Sequence, residues 1–256
     1  MTNNFSISDS VSKGFDLLSK RMGALVLFVF ISFAIETVMQ MALGKIAFSL
    51  GMFGPTLVGI ITNLITAFFT LAFITKSLDY YDNNDTNLSI EAFFSSVDFK
   101  LFINYILTSI LCGIVIAVPT FILIGIGVFA IYGGMDGISN FMSGGLNLTS
   151  ALYFFFVFLV IINLSARVYF ATFFIADRIT ESPIEALKMS LKASNGNVWK
   201  LFLLMIVLIM IAIAGVLLFL VGLLFAYPII LLASIHAYRS ISRNINFDPS
   251  EEVTEV

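Results

Sequence analysis

Residues 199–241 form a nearly continuous apolar stretch of about 40 positions, twice what one crossing of a bilayer needs. Four more apolar runs of at least about 20 residues precede it, so the chain reads as six spans, at about 22–43, 53–75, 101–123, 148–176, 199–218 and 221–241. The last two are expected to form a tight hairpin broken between Gly215 and Gly222. Hydrophobic residues are 59% of the 256 positions, charged residues only 11%, and the mean hydropathy is +1.04. A soluble domain carries about 25% charged residues, so a soluble globular fold is excluded and lipid is the remaining solvent. The expected fold is all-α: a polytopic helical bundle in one integral membrane domain over 1–245, with an acidic, disordered cytoplasmic tail at 246–256. The first span is too long for a signal-peptide core and no small-residue cleavage pattern follows it, so it is expected to be retained.

Composition also limits function. Thirteen basic against 16 acidic residues give a net charge of −3 and no basic stripe, which argues against a nucleic-acid partner. One cysteine, Cys112, and one histidine, His236, supply neither an internal disulfide nor a Cys/His zinc site. No nucleophile stands beside a base, and no H-E-x-x-H or G-x-S-x-G occurs, so neither an enzyme nor a cofactor is expected. Gly133-Gly134 and Gly144-Gly145 make a flexible outer loop without the Gly-Lys-Ser/Thr of a phosphate loop. Asp79, Asp82 and Asp85, with Asn83 and Asn84, lack the Gly and distal Glu of a calcium loop and read as a solvated turn. The sequon Asn147-Leu148-Thr149 faces outward and carries no glycan in a bacterium.

Basic residues set the orientation, because Lys and Arg beside a span resist translocation. Lys13, Lys20, Arg21, Lys76, Lys100, Arg178, Lys188, Lys192, Lys200, Arg239 and Arg243 fall on one side and Lys45 alone on the other. Both termini are therefore expected in the cytoplasm, with the chain a multi-pass protein of a bacterial inner membrane. The cytoplasmic connections carry a repeated unit. Ser182-Pro183-Ile184-Glu185-Ala186-Leu187 opens an amphipathic helix with Ser as N-cap and Pro in the first turn, Ile184, Leu187 and Leu191 sharing a face. Ser89-Ile90-Glu91-Ala92-Phe93 repeats it, and Lys100-Leu101-Phe102 parallels Lys200-Leu201-Phe202. A weaker copy begins at Asp9-Ser10-Val11 and continues through Phe15 and Leu18. Three interfacial helices, each leading into a two-span hairpin, make three parallel repeats. Any hairpin-built membrane protein places amphipathic segments at the interface, and the first copy fits that plainer account equally well.

From Arg167-Val168-Tyr169-Phe170-Ala171 through Asp177, Ser182 to Ser190, and Gly196-Asn197-Val198-Trp199-Lys200, the chain resembles a bacterial and archaeal superfamily of six-span proteins. That group includes the membrane domain fused to some glycerophosphodiester phosphodiesterases. Pro228 and His236-Ala237-Tyr238-Arg239 are similar to its last span. The resemblance implies a six-helix membrane domain, sometimes described as transport-like or stress-related. The soluble phosphodiesterase domain is absent, and its hydrolysis does not carry over.

The residues best placed to carry chemistry are polar ones inside the spans. Arg167 lies about nine residues, or about 13 Å, inside the fourth span, where a charge costs several kcal/mol unless paired or hydrated. Glu36 is the only acidic residue deep in a span, so an Arg167–Glu36 pair or shared pocket is expected, against the plainer reading of two interfacial anchors. Asn163 and Gln40, four residues from each, and Asn63 and Asn104 could line an aqueous path or join helices. Pro119 and Pro228 are expected to kink their helices. His236 at a helix end reads as interfacial packing and Trp199, beside Lys200, as an interface anchor. Gly113 and Ala117 allow close helix contact, within or between chains. The functional expectation is a non-enzymatic protein that supports the membrane or envelope, with a lipid or another membrane protein as partner. The alternative is a small transporter or lipid-handling protein with a polar cavity around Arg167.

Overall fold

The computed structural model describes residues 6–49, 51–83, 86–132, 148–218 and 221–242. Asn84, Asp85, Gly133, Gly134, Gly144, Gly145, Asn147, Arg243 and the 246–256 tail lie outside the described residues. The described chain is all-helical, with helices at α1 (Ile7–Lys20), α2 (Met22–Ser49), α3 (Gly54–Asp82), α4 (Ile90–Ser95), α5 (Phe99–Tyr132), α6 (Leu148–Val168), α7 (Ala171–Ala176), α8 (Pro183–Ser194), α9 (Val198–Leu217) and α10 (Val221–Ser242). Among the described residues, six helical segments are long and apolar enough to cross a membrane. They are α2, α3, α5, α6 with α7, α9 and α10.

These helices form three hairpins, α2–α3, α5–α6 and α9–α10, and neighbour contacts run α2–α3–α5–α6–α9–α10 and back to α2. The circuit is uneven. Of the most apolar window of α10, 61% is buried, against 6% for α5, so α10 is the innermost element and α5 the most lipid-facing. The α9–α10 turn is tight because Gly222 meets the Gly215 carbonyl where a Cβ would stand 2.5 Å from the oxygen. Pro119 and Pro228 interrupt neither α5 nor α10.

The short helices α1, α4, α7 and α8 gather at the end where α2, α5 and α9 begin, which is where the basic residues concentrate. Three of them open on the same device. Ser6 accepts from the Asp9 amide, Ser89 from the Ala92 amide and Ser182 from the Glu185 amide, satisfying an otherwise orphaned donor. The first copy therefore starts at Ser6-Ile7, in register with Ser89-Ile90, and not at Asp9. Four positions past each cap the residue is fully buried: Ser10, Phe93 and Ala186. In α1 this places Gly14, Leu17 and Leu18 inside and leaves Phe15 exposed. In α8 the packed face is Ala186, Met189, Ser190 and Ala193, and Ile184 is outside. Leu187 and Leu191, half-buried, pack against Cys112 of α5, Val168 at the end of α6 and Ala171, so two of the three residues expected to share a face do contact the bundle.

Each interfacial helix packs on the second helix of the preceding hairpin: α4 on α3, α8 on α6 and α7, and α1 on α10. The third relation closes the circuit. Around this end lies the main core, in which Phe93 of α4 stacks on Phe28 of α2 at 4.1 Å and on Phe73 of α3 at 5.8 Å between ring centroids.

Candidate functional site

Polar chemistry is concentrated in three places. The first is around Arg167. Helix α6 ends at Val168 and the chain turns at Tyr169-Phe170 before α7, so Arg167 lies in a last helical turn, where a cation is favoured by the exposed carbonyls. The fourth span is expected as one unbroken helix to residue 176, whereas the chain turns at 169–170 within it, one residue past Val168, beside α8. Arg167 Nε donates to Asn163 at 3.3 Å, and the Ser190 hydroxyl donates to the Arg167 carbonyl at 2.8 Å. Ser190 thereby locks α8 to α6. The cap of α8 sits nearby, with Pro183 in its first turn and the Glu185 carboxylate accepting from the Thr180 hydroxyl. Trp199 is 75% exposed and Lys200 half-buried at the start of α9.

The second place is a cavity of about 200 Å³ between α2, α3 and α10. Glu36 lines it together with Thr66, Thr70 and Tyr227, under a wall of Phe28, Phe33, Phe69 and Phe73. Thr66 stands beside Glu36 in the lining, and Tyr227 Oη donates to Thr70 at 3.5 Å. Tyr227 also lies within electrostatic reach of Glu36, Tyr105 and Tyr169, while Tyr169 and Ser234 share a 2.8 Å hydrogen bond. Tyr105 of α5, Tyr169 and Tyr227 of α10 therefore converge inside the circuit.

Arg167 and Glu36 do not meet. Among the described residues no ion pair joins them, since α6 contacts α5, α8 and α9 whereas α2 contacts α3 and α10. They are the only charges far from the span ends, but the direction each helix faces keeps them apart. Gln40 and Asn63 are exposed and do not line the cavity, and half-buried Asn104 contributes only its carbonyl, to Thr108. Cys112 is buried with its thiol toward the Val168 carbonyl, Gly113 is open, and Ala117 is half-buried.

The third place joins the three hairpins at the basic end. Arg239, in the last turn of α10, donates through both terminal nitrogens to Asp177, which follows α7, and also to Asp82, the last residue of α3. Tyr238 Oη donates to Asp177 at 2.9 Å, and the Arg239 and Asp177 side chains are 15% and 14% exposed. Bidentate pairing of this kind fixes geometry as well as charge. Consecutive residues at the end of α3 fan out to different partners: Tyr80 to the Leu17 carbonyl at 3.0 Å, Tyr81 to His236 Nδ1 at 2.9 Å, and Asp82 to Arg239. The solvated acidic turn expected at Asp79 and Asp82 is thus corrected: α3 runs on past its apolar stretch, so Asp79 pairs with Lys76 and Asp82 with Arg239. The signal available in the sequence was that Asp82, Asp177 and Arg239 each stand at or just past the end of the second span of a hairpin.

Beside this junction, Asp98 pairs with Arg178 at 2.8 Å, and Lys100 with Glu181. The Leu101 amide and the Arg178 guanidinium hold the Asp98 carboxyl below the usual carboxylate range. Lys20 and Lys13 do the same for Asp16 on α1. Among the described residues no group of three or more His, Cys, Asp or Glu is placed to hold a metal.

A family model described as a protein of unknown function (DUF975) matches residues 8–245, from the first turn of α1 to just past α10. The chain belongs to this family. The matched range takes in α1 as well as the hairpins, so the closing helix is part of the family's unit. No curated protein and no solved structure matches the chain. Family membership and six apolar helices are what the comparison establishes; no match links the chain to the phosphodiesterase membrane domains.

Proposed function

We propose that the protein is a non-enzymatic, multi-pass protein of a bacterial cytoplasmic membrane that holds a small amphiphile between α2, α3 and α10. One observation carries this reading: a carboxylate, Glu36, lines an intramembrane cavity of about 200 Å³ beside four hydroxyl side chains. An ionisable group at such depth is costly and marks a site by default. The cavity of the alternative reading thus moves from Arg167 to Glu36. Native mass spectrometry of the full chain, released from nonionic micelles, tests it. The expected result is one amphiphile retained per chain, with Thr70→Trp, which fills the cavity, lowering occupancy about tenfold. A wild-type chain that retains nothing overturns the reading.

A second reading, support of the envelope through a membrane-protein partner, is favoured by the junction at Arg239, which braces the three hairpins. The motif from Arg167 to Lys200 supports placing the chain with the six-span superfamily that includes phosphodiesterase membrane domains. Orientation follows from charge. Every described Lys and Arg except Lys45 lies at the end that bears α1, α4, α7 and α8, which supports cytoplasmic termini. Single cysteines placed before α1 and after α10 in a Cys112→Ala background are expected to resist a membrane-impermeant maleimide in intact cells. A residue before α1 that labels from outside overturns this orientation.

A further inference from the structure

The class of molecule that fits the cavity follows from its walls, and this step rests on the cavity reading above. Glu36 stands about 21 Å along α2 from Met22, at 1.5 Å per residue, well inside the apolar stretch. Among the described residues no Lys or Arg forms an ion pair with it, and none lines the cavity. Its nearest polar neighbours in the lining are hydroxyl groups such as Thr66, and a carboxylate has more acceptor sites than one such donor fills. An anionic headgroup is excluded on charge, because a phosphate there meets only the carboxylate and neutral groups.

A bare metal ion fits poorly too. Hard cations want six or more oxygens. The cavity offers Glu36 and a few hydroxyls, of which Ser32 donates to the Phe28 carbonyl and Tyr227 to Thr70. The remaining wall is aromatic. Phe73 lies 5.6 Å from Phe28 and 5.6 Å from Tyr227 between centroids, and Phe69 lies 6.2 Å from Phe28. Aromatic faces attract organic cations, most strongly where water is excluded.

Beside the cavity lies an apolar groove of about 500 Å³ between α2 and α10. Phe33 lines both spaces, Thr37 and Val38 continue the groove along α2, and Val221 and Leu224 form its α10 side. This is the seam where the first and last hairpins meet. We propose that it binds a single-chain ammonium amphiphile, the cationic head against Glu36 and the aromatic wall, the alkyl chain in the groove.

The test is equilibrium binding of radiolabelled decyltrimethylammonium to the full chain in dodecyl maltoside micelles. The control ligand is the neutral carbon isostere, in which a tert-butyl group replaces the head. The wild type is expected to bind the cation saturably, one per chain, and to bind the isostere about tenfold or more weakly. Glu36→Gln is expected to weaken cation binding by about tenfold or more and leave the isostere unchanged. Tyr227→Phe, which keeps the ring, is expected to stay within about threefold of wild type. The comparison of ligands on the wild type stands even if Glu36→Gln fails to fold. Equal binding of cation and isostere overturns the ammonium assignment while leaving the cavity reading intact. No saturable binding of either ligand overturns both.

Discussion

Replacing Arg239 with Met lowers the stability of the folded protein by about 3 kcal/mol or more, because it leaves Asp177 partly buried without its guanidinium. The loss comes from stranding a charge, so the second variant is as informative as the first. Asp177→Asn strands Arg239 and is expected to cost about as much, with Asp82 retaining part of the attraction. Joined in one chain, Arg239→Met and Asp177→Asn are expected to cost less than their sum by about 2 kcal/mol, since neither charge is then left without the other. Denaturant unfolding in mixed micelles, followed by helical circular dichroism, reads all three. Additive losses would falsify the proposed coupling and reduce the Arg239–Asp177 contact to an ordinary surface pair.

A comparable effect is expected at Gly14, for a steric reason. A Cβ added there stands 2.8 Å from the Ile229 carbonyl oxygen and 3.1 Å from the Ala233 nitrogen, both backbone atoms of α10 that cannot rotate aside. Gly14→Val therefore cannot keep α1 docked. Overpacking of this kind costs about 1 to 3 kcal/mol, and undocking also exposes Leu17 and Leu18 and frees the Tyr80 hydroxyl from the Leu17 carbonyl. Hydrogen exchange is expected to speed up throughout α1 while α5 and α6 keep their protection. Gly23→Val is the control, because nothing lies within 4 Å of that Cβ. Equal protection of α1 in both variants would show that α10 yields to the added side chain.

The sequence made the crossings legible because each is an apolar run long enough for a bilayer, and the structure places helices over all of them. It also showed the device that opens α4 and α8, a Ser cap followed by Ile and Glu. The same cap at Ser6 is harder to see, because Ser8 and Asp9 stand where the α4 copy carries Glu91 and Ala92. Which helices are neighbours was not legible. Apolar runs give depth along the membrane normal and little direction around the helix, as the near-zero amphipathicity of a lipid-facing span such as α2 dictates. Arg167 and Glu36 stand out as the only charges far from the span ends, yet they belong to different neighbourhoods. Asp82, Asp177 and Arg239 were visible as three separate charges, and only closure of the circuit brings them to one point. The polar cavity was half legible: Glu36 stood out as the lone deep acid, but Thr66, Thr70 and Tyr227 look ordinary until α3 and α10 flank it.

The docking of α1 on α10 has a consequence for biosynthesis. A ribosome delivers α1 early and α10 last of the described helices, so the surface that receives Gly14 and Leu17 does not exist while the first two hairpins are being inserted. Over that interval Asp82 and Asp177 have been made but their shared guanidinium has not. The nascent protein must wait with its seam open, and it becomes a closed body only when the translocon releases the segment that bears Arg239.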